Sequence, residues 1–290
     1  MRSKILVIFI TLAAIWGASF LFMRIASPAF GAITLAFVRV LMAAIALLAV
    51  SLFLHKPFLS GKQRVWAMVI GVLNSAIPFV LFGYATQHLP AGYTAVLNAT
   101  VPFWGLGIGV FMFKETLSVY KIVALVCALV GLAMMLGLGT VELNASTLNA
   151  AAACLLATLL YAIVGNVTKR KLLGADPVAQ SLAAMVSSSL VLLPFALWQW
   201  PAVNPSAGDW AAALALGLLC SAVAYTLYFW LIANAGLMYG LNVTLLIPVF
   251  GVLWGILFLG ETLTFLSAVG AVVTIVSTAV VLGVLPLKKA

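Results

Sequence analysis

Ser75, Phe79 and Phe82 return 146 positions later as Ser221, Tyr225 and Tyr228. Within each trio the spacings are four and then three, which on a helix set one hydroxyl and two rings along a single stripe. Thr94, Asn98 and Pro102 follow at steps of four, and the same offset gives Gly240, Thr244 and Pro248. Trp16, Ser19 and Met23 form a further stripe, answered by Tyr161 at an offset of 145. Rings with a few hydroxyls and amides carry no acid–base or nucleophilic chemistry of their own. They suit the wall of a path for an apolar or zwitterionic small molecule. Taken singly, each residue is equally explained by helix packing, or by a Ser or Thr bonding back to its own helix. Their recurrence as a set is what argues for a lining.

Arg39 is the one charge well inside an apolar run, about nine residues or some 14 Å of helix rise from its end. An unpaired charge there costs at least about 2.5 kcal/mol, so it needs water, carbonyl partners or a solute. Two readings stand: a carboxylate-binding group, or a structural charge that ties helices together through carbonyls. No Arg occupies the corresponding place in the second copy. Asp, Glu and Lys are absent from the middle of every run, and His55 and His88 lie near run ends. A relay of buried acids therefore has no obvious parts. Glycine-rich phosphate loops and metal-ligand clusters are missing as well, so the sequence calls for no cofactor and no metal and gives no sign of an ATP-driven pump. Glu115 and Glu261 precede helices expected to begin near Ser118 and Thr264, where they would brace or cap a hairpin. Cys127, Cys154 and Cys220 fall in apolar runs without metal-type spacing and read as small core residues.

The elements that must hold these groups follow from composition. The chain of 290 residues is 66% hydrophobic and 7% charged, against about 25% charged in soluble domains. Apolar runs place ten spans at roughly 4 to 25, 30 to 54, 63 to 87, 91 to 113, 118 to 139, 147 to 168, 177 to 200, 209 to 235, 238 to 259 and 264 to 285. The runs are too long and too uniform for barrel strands, so the expected fold is an all-α integral membrane protein. With the N-terminus placed in the cytoplasm, twelve of the fourteen Lys and Arg residues fall on that side, only Arg24 lies outside, and Arg39 is within a span. This sets both termini in the cytoplasm. The net charge of +9 is thus an orientation signal, scattered between spans, and points to no nucleic-acid partner.

Five spans per copy is an odd number, so residues 1–140 and 141–290 are expected as two five-helix repeats inverted with respect to each other. Tyr93, Pro102, Gly105, Gly109 and Glu115-Thr116-Leu117 recur as Tyr239, Pro248, Gly251, Gly255 and Glu261-Thr262-Leu263. The glycines at spacings of four suit tight helix crossings. Pro102 and Pro248 each remove a backbone hydrogen bond inside a span and are expected either as hinges or as static kinks. Trp66, Trp198, Trp200 and Trp210 fall near span ends and read as interface anchors.

Trp16-Gly17-Ala18-Ser19-Phe20, then Pro28 and Arg39, then two copies of a Pro, Gly-rich, Glu-Thr-Leu hairpin resemble the EamA-type members of the drug/metabolite transporter superfamily. The resemblance runs over essentially the whole chain. The second copy departs from it, with Tyr161-Ala162 in place of the Trp-Gly pair. Within the superfamily the chain is most similar to the YddG-type exporters of aromatic and other amino acids. The resemblance implies no enzyme but an inner-membrane carrier of small metabolites that alternates access between its halves, and two complete halves in one chain are expected to function as a monomer. A drug or nucleotide-sugar carrier is the alternative within transport. A membrane-embedded enzyme would need convergent acids, histidines or metal ligands at depth.

Overall fold

The computed structural model describes residues 2–89, 91–113, 118–136, 144–259 and 264–282, and every regular element among them is helical. Span one is Arg2–Phe30, span two Ala32–Phe53 and span three Gly61–His88. Span four consists of two pieces, Ala91–Asn98 and Val101–Phe113, and span five is Val119–Leu136. The second half runs through span six, Ala145–Lys171, span seven, Pro177–Trp198, and span eight, Ala207–Ala235. Span nine, Leu237–Leu259, and span ten, Phe265–Val281, complete it. Among the described residues, eight of these helices are long and apolar enough to cross a membrane, and spans five and ten are shorter apolar helices. In hydrocarbon a helix is favoured because it satisfies every backbone group within one segment.

Helix starts are set by local chemistry. Asn144 and Thr147 form a capping box at span six, and Ser206 with Asp209 forms another at span eight. Asp176 accepts from the Val178 and Ala179 amides, with Pro177 following at the first helical position. Its carboxylate also meets Lys56 at 3.2 Å, which joins the end of span two to the start of span seven. Span one runs further than expected, through Pro28 in its last turn, with the loss of one backbone hydrogen bond there. The chain then turns at Gly31, whose φ of 73° favours glycine. Glu115, Glu142 and Glu261 lie outside the described residues, and the side chain capping span ten is Thr264, which accepts from the Ser267 amide.

Packing relates the halves as inverted repeats. Span two packs on span seven, and span five on span ten. Span one packs on spans eight and nine, just as span six packs on spans three and four. Exchanging each span for its counterpart five places on leaves this arrangement unchanged, as a two-fold relation requires. Polar groups are drawn inward while the periphery is apolar: Ser188 and Thr274 are fully buried, whereas Phe53, Phe111 and Phe265 are exposed. That is the distribution lipid selects. Cys154 and Cys220 are buried as expected, but Cys127 is exposed on span five. A small apolar thiol is as compatible with a lipid-facing surface as with a core.

The two prolines differ in effect. Before Pro102 the helix is interrupted at Ala99 and Thr100, whereas span nine continues unbroken through Pro248.

Candidate functional site

A cavity with about 60 Å³ of space open to water-sized occupants lies between the halves. That is enough for a few water molecules. Its floor and walls are largely aromatic. Trp16 meets Tyr225 edge-on with ring centroids 5.9 Å apart and Tyr228 at 5.5 Å. Phe79 packs edge-on against Tyr225 at 6.0 Å, Phe82 stacks on Tyr161 at 6.0 Å, and Phe20 contacts Phe82 at 6.1 Å. The rings thus form two groups, one joining spans one, three and six and the other spans one, three and eight, and span four contributes Asn98 while span nine contributes Gly240 and Thr244. Gly17 explains how span one comes close enough: a Cβ there would fall 2.7 Å from Phe250 Cβ and 3.0 Å from Ile247 O in span nine.

Arg39 enters the wall from span two. Its Nε donates to Ser221 Oγ at 2.7 Å and its Nη2 to Cys220 O at 3.2 Å, with Nη1 4.0 Å from Met23 Sδ. The guanidinium lies 3.7 Å from the centre of the Phe79 ring, a cation–π contact. Among the described residues the ion pair present is that of Lys56 with Asp176, so Arg39 has dipoles and a ring around it but no carboxylate. The two readings of Arg39 are thus combined in one geometry: it bridges the halves and also faces the cavity.

What holds Arg39 is a feature the sequence reading missed. Spans three and eight each contain a π-helical turn, Val72–Ala76 and Leu218–Val223, at the same 146-residue offset. Such turns free backbone carbonyls and recur at functional sites. In span eight the Ala224 N–H bonds Leu219 O in place of Cys220 O. Cys220 O accepts instead from Arg39 and from Trp16 Nε1, the latter at 3.1 Å. In span three the residue that would serve Asn74 O is Pro78, which has no N–H. Asn74 O accepts instead from the Tyr225 hydroxyl at 2.9 Å. Asn74 and Cys220 are themselves equivalent positions, so each half offers one freed carbonyl to donors from the other.

The structure brings Trp16, Ser19, Arg39, Phe79, Phe82, Asn98, Tyr161, Tyr225, Tyr228 and Thr244 to the cavity wall. It does not bring Ser75, Thr94 or Ser221 there, although all three are buried. Ser221 instead receives the Arg39 hydrogen bond and itself donates to Leu216 O at 2.9 Å. Asn74, which the stripe of Ser75, Phe79 and Phe82 passed over, lines the cavity in the place of Ser75. The π turn inserts one residue into the helical repeat and so shifts the face by one position. Pro78 within an apolar span was the available signal.

Ten spans in two inverted halves around a cavity between them define a multi-pass membrane transporter of the inverted-repeat class. A profile of the EamA-like transporter family matches residues 3–137 and again residues 148–283, and the chain belongs to that family. An uncharacterized transporter of Archaeoglobus fulgidus is 27% identical over 95% of this chain and 96% of its own. The uncharacterized transporter YoaV of Bacillus subtilis is 23% identical over 92% and 93%. A solved crystal structure superposes with a TM-score of 0.78 at 15% identity, covering 97% of this chain and 96% of that one, a likeness of fold. The membership makes the chain a transporter and not an enzyme, with the bilayer and a small-molecule solute as its partners.

Proposed function

We propose that the protein is a secondary transporter that exports aromatic or apolar amino acids, or metabolites of similar form, across the inner membrane. It works by alternating access between its two halves and as a monomer, since both halves of the path belong to one chain. The observation that carries this reading is the aromatic cavity containing a single guanidinium with no carboxylate partner among the described residues. A zwitterionic amino acid supplies what such a site lacks, a carboxylate for Arg39 and an apolar side chain for the rings. A nucleotide sugar would bring several negative charges to one cation, and a cationic drug would meet a like charge. The same considerations support the YddG-type branch over the rest of the superfamily. The interruption before Pro102 and the hydrogen bond that Pro248 cannot donate are the points about which helix ends would move.

The test is counterflow with the purified protein in liposomes preloaded with unlabelled L-phenylalanine, with and without a pH gradient. Labelled L-phenylalanine should accumulate transiently, and other aromatic amino acids should compete while nucleotide sugars and hydrophobic amines should not. Absence of amino-acid counterflow, or flux confined to one of the other two classes, would overturn the proposal.

A further inference from the structure

Two side-chain amide oxygens of cavity-wall residues are left without partners. Asn74 in span three and Asn98 in span four are 3% and 4% exposed, and neither amide oxygen has a hydrogen-bond partner in the protein. Buried side-chain polar atoms are paired in the large majority of cases, so an unpaired acceptor in a cavity wall calls for a reason. Local pairing is available elsewhere in the same bundle. Asn166 donates to Ala162 O at 3.0 Å, and Thr244 to Leu241 O at 2.8 Å. Asn74 and Asn98 differ from these in being wall residues whose amide oxygens are buried with no partner.

We infer that Asn74 and Asn98 form the subsite for the ammonium group of the solute, next to the carboxylate subsite at Arg39. The inference rests on the amino-acid reading above. Among the described residues no Asp or Glu lines the cavity, so an ammonium entering it finds its acceptors in amide oxygens, backbone carbonyls and phenols. The Arg39 charge turns the ammonium away and draws the carboxylate, which fixes the orientation of a zwitterion. An α-amino acid carries both groups on one carbon, so its subsites must be neighbours. Arg39, Asn74 and Asn98 line the same cavity, and Arg39 lies over Phe79 in its wall. The apolar part of the solute is then left to the rings of Trp16, Phe82 and Tyr161.

The experiment compares L-phenylalanine with 3-phenylpropanoate, which has the same ring and carboxylate but no ammonium. The readout is the ratio of the concentrations that half-inhibit counterflow of labelled L-phenylalanine, for wild type, Asn74→Leu and Asn98→Leu. Wild type should favour L-phenylalanine, and each leucine variant should lose about tenfold to hundredfold of that preference, the range for a hydrogen bond to a charged group. Asn98→Asp, which keeps an acceptor of the same shape and adds negative charge, should keep or raise it. Should a leucine variant fail to fold by size-exclusion chromatography, Asn74→Ser and Asn98→Ser carry the same comparison. A wild type that transports L-phenylalanine without discriminating, or variants that keep the full preference, would overturn the inference alone. A wild type with no L-phenylalanine counterflow would instead overturn the function on which it rests.

Discussion

Replacing Arg39 by Met separates its structural part from its functional one, because the groups it holds do not depend on it. Ser221 Oγ still donates to Leu216 O at 2.9 Å, and Cys220 O still accepts from Trp16 Nε1 at 3.1 Å. No buried polar atom among its partners is therefore orphaned. The substitution forfeits two hydrogen bonds from a charged donor, about 1.5–3 kcal/mol each, and a ring contact of about 1–2 kcal/mol. Against this it removes a buried cation with no carboxylate partner, whose desolvation costs several kcal/mol. The opposing terms are of equal size, so the thermal midpoint of Arg39→Met in detergent should be unchanged or raised. Affinity for L-phenylalanine should fall roughly 10- to 150-fold, the equivalent of one charge-assisted hydrogen bond. Arg39→Lys is the contrast: it keeps the charge but loses the fork that reaches Ser221 and Cys220 O together, and should give an intermediate affinity. A fluorescence thermal shift and a counterflow titration on the same preparations supply both readings. A midpoint lowered by more than about 4 °C, or roughly 2 kcal/mol for a chain of this order of size, would show that Arg39 is chiefly structural. Unchanged affinity would remove it from the solute site.

Two further predictions concern the π turns. Tyr225→Phe leaves Asn74 O without a donor and should cost about 1–3 kcal/mol of stability. Adding Pro78→Ala supplies an N–H at that carbonyl, so a double-mutant cycle should show a favourable coupling of at least about 0.5 kcal/mol, while strict additivity would contradict the freed-carbonyl account. At Gly71 an added Cβ would collide with the backbone O and Cα of Ala184, and at the equivalent Gly217 it would fall 2.6 Å from Met42 Cβ and 3.0 Å from Arg39 O. Either alanine should destabilise by about 1–3 kcal/mol, with the greater loss at Gly71, where backbone must move; thermal midpoints equal to wild type would mean the spans are looser than drawn.

The spans and their repetition were legible because lipid imposes a simple rule on sequence. Apolar runs of about 20 residues must recur wherever the chain crosses, and an offset that matches Trp16-type and Tyr225-type stripes between copies identifies faces that look inward. The orientation of Arg39 toward a second element was legible too, since a cation at that depth needs partners. Its actual partners were not, because they depend on a helix that departs from 3.6 residues per turn. Counting by fours from Phe79 leads to Ser75, whereas the π turn puts Asn74 on the wall. In the first copy Pro78 marks the departure. In the second copy Ala224 carries no comparable mark, and the turn there is set by packing: Gly217 admits span two, and Trp16 and Arg39 bind the carbonyl that the turn releases. The stretches holding Glu115 and Glu261 lie outside the described residues.

The equivalence of Asn74 and Cys220 also bears on how inverted halves produce a directional path. Each freed carbonyl is met by a donor from the opposite half, yet the donors are unlike: a phenol at Asn74 O, a guanidinium and an indole at Cys220 O. A rocking motion that exchanged the roles of the halves would exchange their backbones but not these side chains. The same groups are wall residues, with Trp16, Arg39 and Tyr225 all lining the cavity. On the proposed reading, contacts between the halves and contacts to a solute would draw on a common set of donors, and a shift of one half would change the site by altering which of them remain engaged. Because the charged donor belongs to one half only, the site opened toward one side of the membrane presents a different face from the site opened toward the other. Symmetry in the backbone with asymmetry in the donors is the arrangement that would give the proposed alternating access two chemically distinct ends.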